Sequence, residues 1–188
     1  MREVILKLLK CPGCGSISLS IDKGLVDQIE IRSGRIVCNN CNADYKIEDG
    51  IINFFHNANE SVQRERRVMD EDDYITDDSG NKFKITDEVI RKFSDKFLAL
   101  PEGDGSYFFK KGGSFQSTAE ASGRFYSAME DLRLSGKERI LEIGACFSYA
   151  SFKFAQIGCS VVALDISNYL KVSSLYVEKA YFERLFSV

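Results

Sequence analysis

CPGCGSISLSIDKGLVDQIEIRSGRIVCNNC, residues 11–41, carries two Cys-x-x-Cys pairs separated by a run that alternates apolar and polar residues. A Cys-x-x-Cys pair delivers two thiolates from one tight turn, and two such pairs complete the tetrahedral shell that a structural zinc ion prefers. Cys11, Cys14, Cys38 and Cys41 are therefore the expected ligands of one structural Zn²⁺. Gly13 and Gly15 are expected where the backbone bends around sulfur, and Asn39 and Asn40 tolerate the same turn geometry. The intervening alternation, with turns at Gly24 and Gly34, reads as short antiparallel strands. Two other readings of the same residues stand beside this one: four reduced cysteines without metal, and a redox dithiol, although no thioredoxin-like βαβ pattern surrounds either pair. His56, the single histidine, is not needed as a ligand and is read as a surface or packing residue. A shell closed by four thiolates keeps no position open for water or substrate, so this metal is expected to support folding and not catalysis.

The rest of the composition narrows the class. The chain has 188 residues, 44% hydrophobic and 28% charged, enough for one good core or two small ones. Four of the six cysteines fall in the two pairs, while Cys146 and Cys159 lie far away, which favours a metal site in a reducing compartment over a secreted disulfide framework. The apolar runs are too short to cross a bilayer, and MREVILKLLK lacks the features of a signal peptide, so a cytoplasmic protein is expected, with no membrane as partner. Residues 1–56 balance seven basic against seven acidic side chains, residues 57–81 carry three against eight, and residues 82–188 carry fifteen against thirteen. None of these segments demands nucleic acid.

Beyond the cysteine region (1–56), residues 57–81 read as a charged linker with room for one short helix. Residues 82–188 open with a helix start: Thr86 can cap it, Asp87 and Glu88 suit its positive end, and Val89, Ile90, Phe93 and Phe97 recur at helical spacing until Pro101. A Gly-rich loop at 110–114 then leads into a helix with Phe125, Ala128, Met129 and Leu132 on one face, closed by Gly136. RILEIG (139–144), SYASFKFAQIG (148–158) and SVVALDIS (160–167) spell strand, helix, strand in about thirty residues, the size of a right-handed βαβ unit with a parallel sheet. A last helix from Asn168 carries Leu170, Leu175, Val177, Tyr181, Phe182 and Leu185. The whole is expected to be α+β.

Two resemblances extend this reading. CPGCG, GRIVCNNC and DYKIEDGIINFF resemble the zinc-ribbon proteins that activate methyltransferases, and the related ribbons fused to bacterial methyltransferases; the likeness covers about residues 5–56. LEIGACFSYASFKFAQIGCSVVALDIS resembles the first motif and second strand of the Rossmann-like, S-adenosylmethionine-dependent methyltransferases. Residues 82–188 would then be the N-terminal part of such a domain. A glycine-bearing turn lets the backbone approach a ligand, and an acidic residue ending the next strand can accept from both ribose hydroxyls. The resemblance places Glu142 at the methionine end of the cofactor, Gly144, Ala145 and Cys146 along the turn, and Asp165 and Ile166 beside the ribose. Cys146 and Ser148 stand where that family has glycine, and a nicotinamide fingerprint is matched only at Gly144. The plain reading of Glu142, Gly144 and Asp165 as shapers of a strand–helix–strand turn stays open. Cys159 is assigned to the core.

Only two strands of the seven-stranded family sheet are expected, with 175–188 resembling the helix before the third, so the chain reads as a truncated methyltransferase. Apolar helix faces around Phe152, Phe154 and Phe182 would then need cover, supplied by a second copy or a partner methyltransferase. The methyl acceptor, whether RNA, protein, a quinone precursor or another small molecule, and any catalytic acid or base are not encoded in a recognisable way. The competing expectation is a non-catalytic ribbon that docks on a partner methyltransferase.

Overall fold

A computed structural model of the chain describes all residues except 28–29, 56–57, 73, 78, 100–114, 178–184 and 188. The chain is α+β and divides into two compact units, residues 1–67 with 186–188, and residues 68–185.

In the first unit a 3₁₀ turn at Glu3–Leu8 precedes strands β1 (Leu19–Lys23), β2 (Val26–Asp27), β3 (Glu30–Ile31), β4 (Gly34–Cys38), β5 (Asp44–Glu48) and β6 (Ile51–Ile52); helix α1 (Glu60–Asp72) follows, its residues from Val68 on belonging to the second unit. β1, β4, β5 and β6 make one antiparallel sheet in that order, and β2 pairs with β3. The alternation seen in sequence is the pleat: on β5, Tyr45 and Ile47 point inward while Lys46 and Glu48 face solvent. Ile36 stands opposite Tyr45 and Ile52 opposite Ile47, and Ile5 and Ile31 are buried as well. Asp49 and Gly50 both take positive φ (52° and 80°) between β5 and β6, the requirement of a two-residue hairpin turn and the reason for an Asp-Gly pair there. Met1 belongs to this core; its ammonium group lies 2.8 Å from the Glu30 carboxylate and its carbonyl accepts from the Ile31 N–H.

The charged segment expected as a linker is more ordered than its composition suggests. It holds the thirteen-residue α1, and then a hairpin of β7 (Tyr74–Thr76) with β8 (Lys82–Lys84). Asp77 pins the turn, its carboxylate accepting from the Ser79 and Asn81 backbone N–H groups and from the Asn81 amide. Ile75 enters the core of the second unit beside Ile90, Phe93, Phe97, Phe147, Val172 and Leu175.

Thr86 caps the next helix as expected, accepting from the Val89 N–H. The single helix expected there is two: α2 (Asp87–Lys92) and α3 (Ser94–Leu98) meet at Phe93, whose ψ of 17° breaks the regular turn. The break costs little packing, because Phe93 and Phe97 both remain buried. Pro101 and the Gly-rich loop lie outside the described residues. α4 (Phe115–Leu132) places Phe125 and Met129 half-buried, but Ala128 is exposed and Leu132 is 56% exposed, so the expected face is only half used. Arg133, at φ 46°, ends this helix, not Gly136. Gly136 serves a close approach instead: a Cβ there would sit 2.4 Å from the Ile157 carbonyl oxygen.

β9 (Arg139–Ile143), α5 (Tyr149–Ile157) and β10 (Ser160–Leu164) form the expected strand–helix–strand unit, and β9 and β10 are parallel, with Glu142 opposite Ala163 and Ile143 opposite Leu164. A 3₁₀ turn at Asn168–Val172 and the short α6 (Ser173–Val177) replace one continuous last helix. Tyr181 and Phe182 lie outside the described residues, and Leu185 starts β11 (Leu185–Ser187), a short third strand on the other edge of β10. The sheet is therefore one strand wider than the two expected. Phe152 and Ala155 of α5 pack with Cys159 and Val161, so Phe152 is buried and Phe154 is packed against the same cluster. Among the described residues of this sheet, the exposed apolar side chains are others. Leu141 (59% exposed), Ile143 (76%) and Leu164 (37%) lie on the side of the strands opposite that cluster.

Candidate functional site

The four paired cysteines converge. Their Sγ atoms all lie within 4.8 Å of one another. Cys11 to Cys41 and Cys14 to Cys38 are each 3.6 Å apart. Four sulfurs at Zn–S bond length on a tetrahedron stand about 3.8 Å apart, so the cluster matches the size of a Cys₄ metal shell. This cluster could hold a metal ion such as zinc.

Two equivalent turns produce it. In each, the N–H four residues after the first cysteine bonds back to that cysteine's carbonyl (Gly15 to Cys11, Asn42 to Cys38), and the first cysteine's own N–H bonds forward five residues (to Ser16 and Ala43). The residue that must turn left-handed is therefore the one after each pair: Gly15 at φ 73° and Asn42 at φ 59°. Glycine and asparagine are the residues that pay least for that conformation. Gly13, Asn39 and Asn40, expected to supply the bend, do not take positive φ. Asn40 instead donates its amide to Cys14 Sγ at 3.5 Å.

The centre is asymmetric. Cys11 and Cys38 are buried; Cys14 and Cys41 are exposed. The Tyr45 hydroxyl lies 3.2 Å from Cys11 Sγ. This bond is the main reason the Cys11 thiol is drawn down to about 6, against the effect of burial. Cys41 goes up to about 12: the Ala43 N–H bond pulls it down, but the neighbouring Cys14 and Cys11 sulfurs and burial outweigh it. Four crowded thiols cannot all ionise alone, which is the electrostatic demand a divalent cation meets. Tyr45 is raised to about 12, first by burial and then by the Cys11 sulfur, so its hydroxyl keeps its proton. Sequence pattern did not single out Tyr45; only its inward place on the β5 alternation hinted at a role. His56 lies outside the described residues.

The second candidate is the turn from β9 into α5. Gly144, Cys146 and Ser148 all take positive φ, 75°, 48° and 57°. Positions 146 and 148, where the resembled family has glycine, thus keep a glycine-like backbone while bearing side chains. Neither Cys nor Ser is a residue that adopts this region cheaply. Ser148 is fully buried, and among the described residues its Oγ finds no hydrogen-bond partner. The Glu142 carboxyl accepts from Ser151 Oγ and is raised from its ordinary value chiefly by burial.

Of the six residues expected to line a cofactor, Glu142, Gly144 and Cys146 lie on one strand end and its turn, with Asp165 beside them. Asp165 Oδ2 accepts from the Cys146 N–H and Oδ1 from the Ser167 N–H, both at 2.6 Å. The Gly144 and Ala145 N–H groups bond to the Leu164 carbonyl. Asp165 therefore staples the two strand ends together, as the plain structural reading has it. Ala145 is buried at 2% exposure, so its side chain is core and not lining; Ile166 is half-buried. A Cβ placed on Gly144 meets nothing within 4 Å, so the turn is open to an approaching ligand there. A carboxylate has about four lone-pair sites, and Asp165 spends two on backbone, so acceptance of ribose hydroxyls stays compatible with this geometry. No family model matches the chain, and no curated protein matches it.

Proposed function

We propose that this chain is an S-adenosylmethionine-binding protein of the methyltransferase kind, made of a zinc-stapled ribbon and a partial Rossmann-like α/β unit. The observation that carries the reading is the backbone of the β9–α5 turn: three left-handed residues, Gly144, Cys146 and Ser148, at the end of a parallel strand pair, with Glu142 near the end of β9 and Asp165 just after β10. A fold does not hold such strain at two non-glycine positions without a constraint, and strained turns cluster where ligands bind. Glu142 would hold the amino-acid end of the cofactor, Gly144 the backbone approach, and Asp165 the ribose. The cofactor, when bound, supplies an electrophilic methyl group; the residues named here only position it. The zinc is a folding element, held by Cys11, Cys14, Cys38 and Cys41.

Calorimetric titration of the full, zinc-loaded chain with S-adenosylmethionine tests this. Binding heat is expected, weakened roughly tenfold or more in Glu142→Gln, which keeps the acceptor for Ser151 but removes the charge. A titration without heat sinks the proposal.

A second reading is favoured by the double use of Asp165 as a backbone staple, which any strand–helix–strand turn could need. In it the chain is a non-catalytic adaptor that docks its ribbon on a separate methyltransferase. The ribbon unit offers a groove of about 440 Å³ for such contact, lined by Asp44, Lys46, Glu48, Phe55, Gln63 and Arg66. A purified methyltransferase whose turnover rises with added chain, and does not rise with Cys38→Ser, would establish this reading in place of the first. The open sheet side at Leu141, Ile143 and Leu164 suits cover by a second copy or that partner, and elution as a bare monomer would argue against a homodimer.

A further inference from the structure

We infer that the Tyr45 hydroxyl donates a hydrogen bond to the metal-bound Cys11 thiolate and so sets how tightly the four-cysteine centre holds its ion. The inference rests on the metal reading of that centre.

A divalent ion in four thiolates leaves a net charge of minus two, which is costly wherever water cannot reach the sulfurs. The exposed sulfurs, Cys14 and Cys41, can be solvated; Cys11 is only 1% exposed and must be compensated from within. Tyr45 is itself fully buried, and a buried phenol needs a partner for its proton. A cysteine sulfur bound to a metal ion is a thiolate with no proton to give, so it can only accept. That fixes the direction of the bond: of the two atoms, 3.2 Å apart, only the Tyr45 hydroxyl has a proton to donate. The ring is held for this task. It stands edge-on to Phe54 at 5.1 Å between centroids and opposite Ile36 on β4. The Asn40 amide on Cys14 is longer, 3.5 Å, and lies where water can replace it. Among the described residues, then, Tyr45 is the side-chain donor to a buried sulfur of the centre.

The test uses the full chain loaded with Zn²⁺, Co²⁺ or ¹¹³Cd²⁺. Tyr45→Phe keeps the ring and removes the donor. Chelator competition should show zinc affinity lower by about tenfold, the usual cost of losing an outer-shell partner. The sulfur-to-cobalt charge-transfer band should move to lower energy, because an unbonded thiolate gives up its electrons more easily; loss of packing alone would not move it. Asn40→Ala should change neither. Equal affinity with an unmoved band in Tyr45→Phe overturns the inference. Should that variant fail to fold, the wild type decides: a slowly exchanging hydroxyl proton coupled to ¹¹³Cd supports the bond, and its absence overturns it. Failure of the wild type to take up any of the three ions would overturn the metal reading itself, before any variant is made.

Discussion

The cysteine turns and the β9–α5 turn solve the same backbone problem with opposite economies. Both need left-handed residues at fixed places. In the ribbon those places hold Gly15, Asn42, Asp49 and Gly50, residue types that take positive φ at little cost. In the β9–α5 turn two of three hold Cys146 and Ser148, and the latter also buries a hydroxyl with no partner among the described residues. The first unit uses its special residues to close turns, with its sulfurs bonded to Tyr45 and Asn40. The turn stores strain, which is what a binding or switching segment does and a folding element does not.

The sharpest way to break this contrast is to deny the cysteine cluster a metal. The core of the first unit is small, and where such a cluster holds a structural zinc the ion contributes on the order of 10 kcal/mol or more in comparable small domains. Chelation, or Cys38→Ser, should therefore cost the first unit its fold while residues 68–185 keep theirs, read residue by residue from amide spectra. A zinc-free ribbon with unchanged spectra would mean that its turns and apolar core suffice, and the contrast would lose one side.

The second test acts on the turn. Cys146→Gly and Ser148→Gly should each raise stability by up to about 1 kcal/mol, the relief of left-handed strain less the entropy glycine adds to the unfolded chain. Asn42→Ala, at an equally left-handed position, should lower it by about 1 kcal/mol. Thermal melts of the zinc-loaded chain check all three. If the two glycine variants are destabilised instead, the side chains make contacts that outweigh the strain, and the turn is an ordinary structural one.

How far the sequence reached follows the same division. The cysteine centre was legible because metal ligation needs particular atoms at short sequence spacing, and Cys11, Cys14, Cys38 and Cys41 do meet. The parallel pairing of β9 and β10 was legible from period and length. What was missed depends on tertiary contact. Tyr45 looked like any inward residue of an alternating strand. Asn39 and Asn40 suit a turn by residue type, but the left-handed residue of the second pair is Asn42, just after it. The hairpin at Tyr74–Thr76 and Lys82–Lys84 was hidden in acidic residues, because its pairing is fixed by Asp77 and by burial of Ile75, neither of which shows in local composition. Nor does local sequence show that Asp165 accepts from the Cys146 and Ser167 N–H groups, since those bonds join residues brought together by the strand pairing.

The smallest expected effect separates two carboxylates four residues apart. Glu138 accepts from Ser135 through both its N–H and its hydroxyl, and from the Gly136 and Lys137 N–H groups. Those bonds, led by the Ser135 hydroxyl, hold it down at about 2, below its ordinary 4.5. Glu142 is raised above 4.5, chiefly by burial. The signs are opposite. A depressed carboxyl contributes stability that is present above about 4.5 and lost as pH falls toward 2; a raised one contributes stability present below 4.5 and lost as pH climbs through its folded value. Glu138→Gln should thus be less stable at neutral pH and lose less on acidification. Glu142→Gln should be more stable at neutral pH and converge on the wild type in acid. Melting temperatures across pH 3 to 8 would show the two profiles lying on opposite sides of the wild type at neutral pH and drawing toward it in acid. Parallel shifts would place Glu142 with Glu138 among the folding residues of this strand, and would remove the stored cost that sets the β9–α5 turn apart from the ribbon.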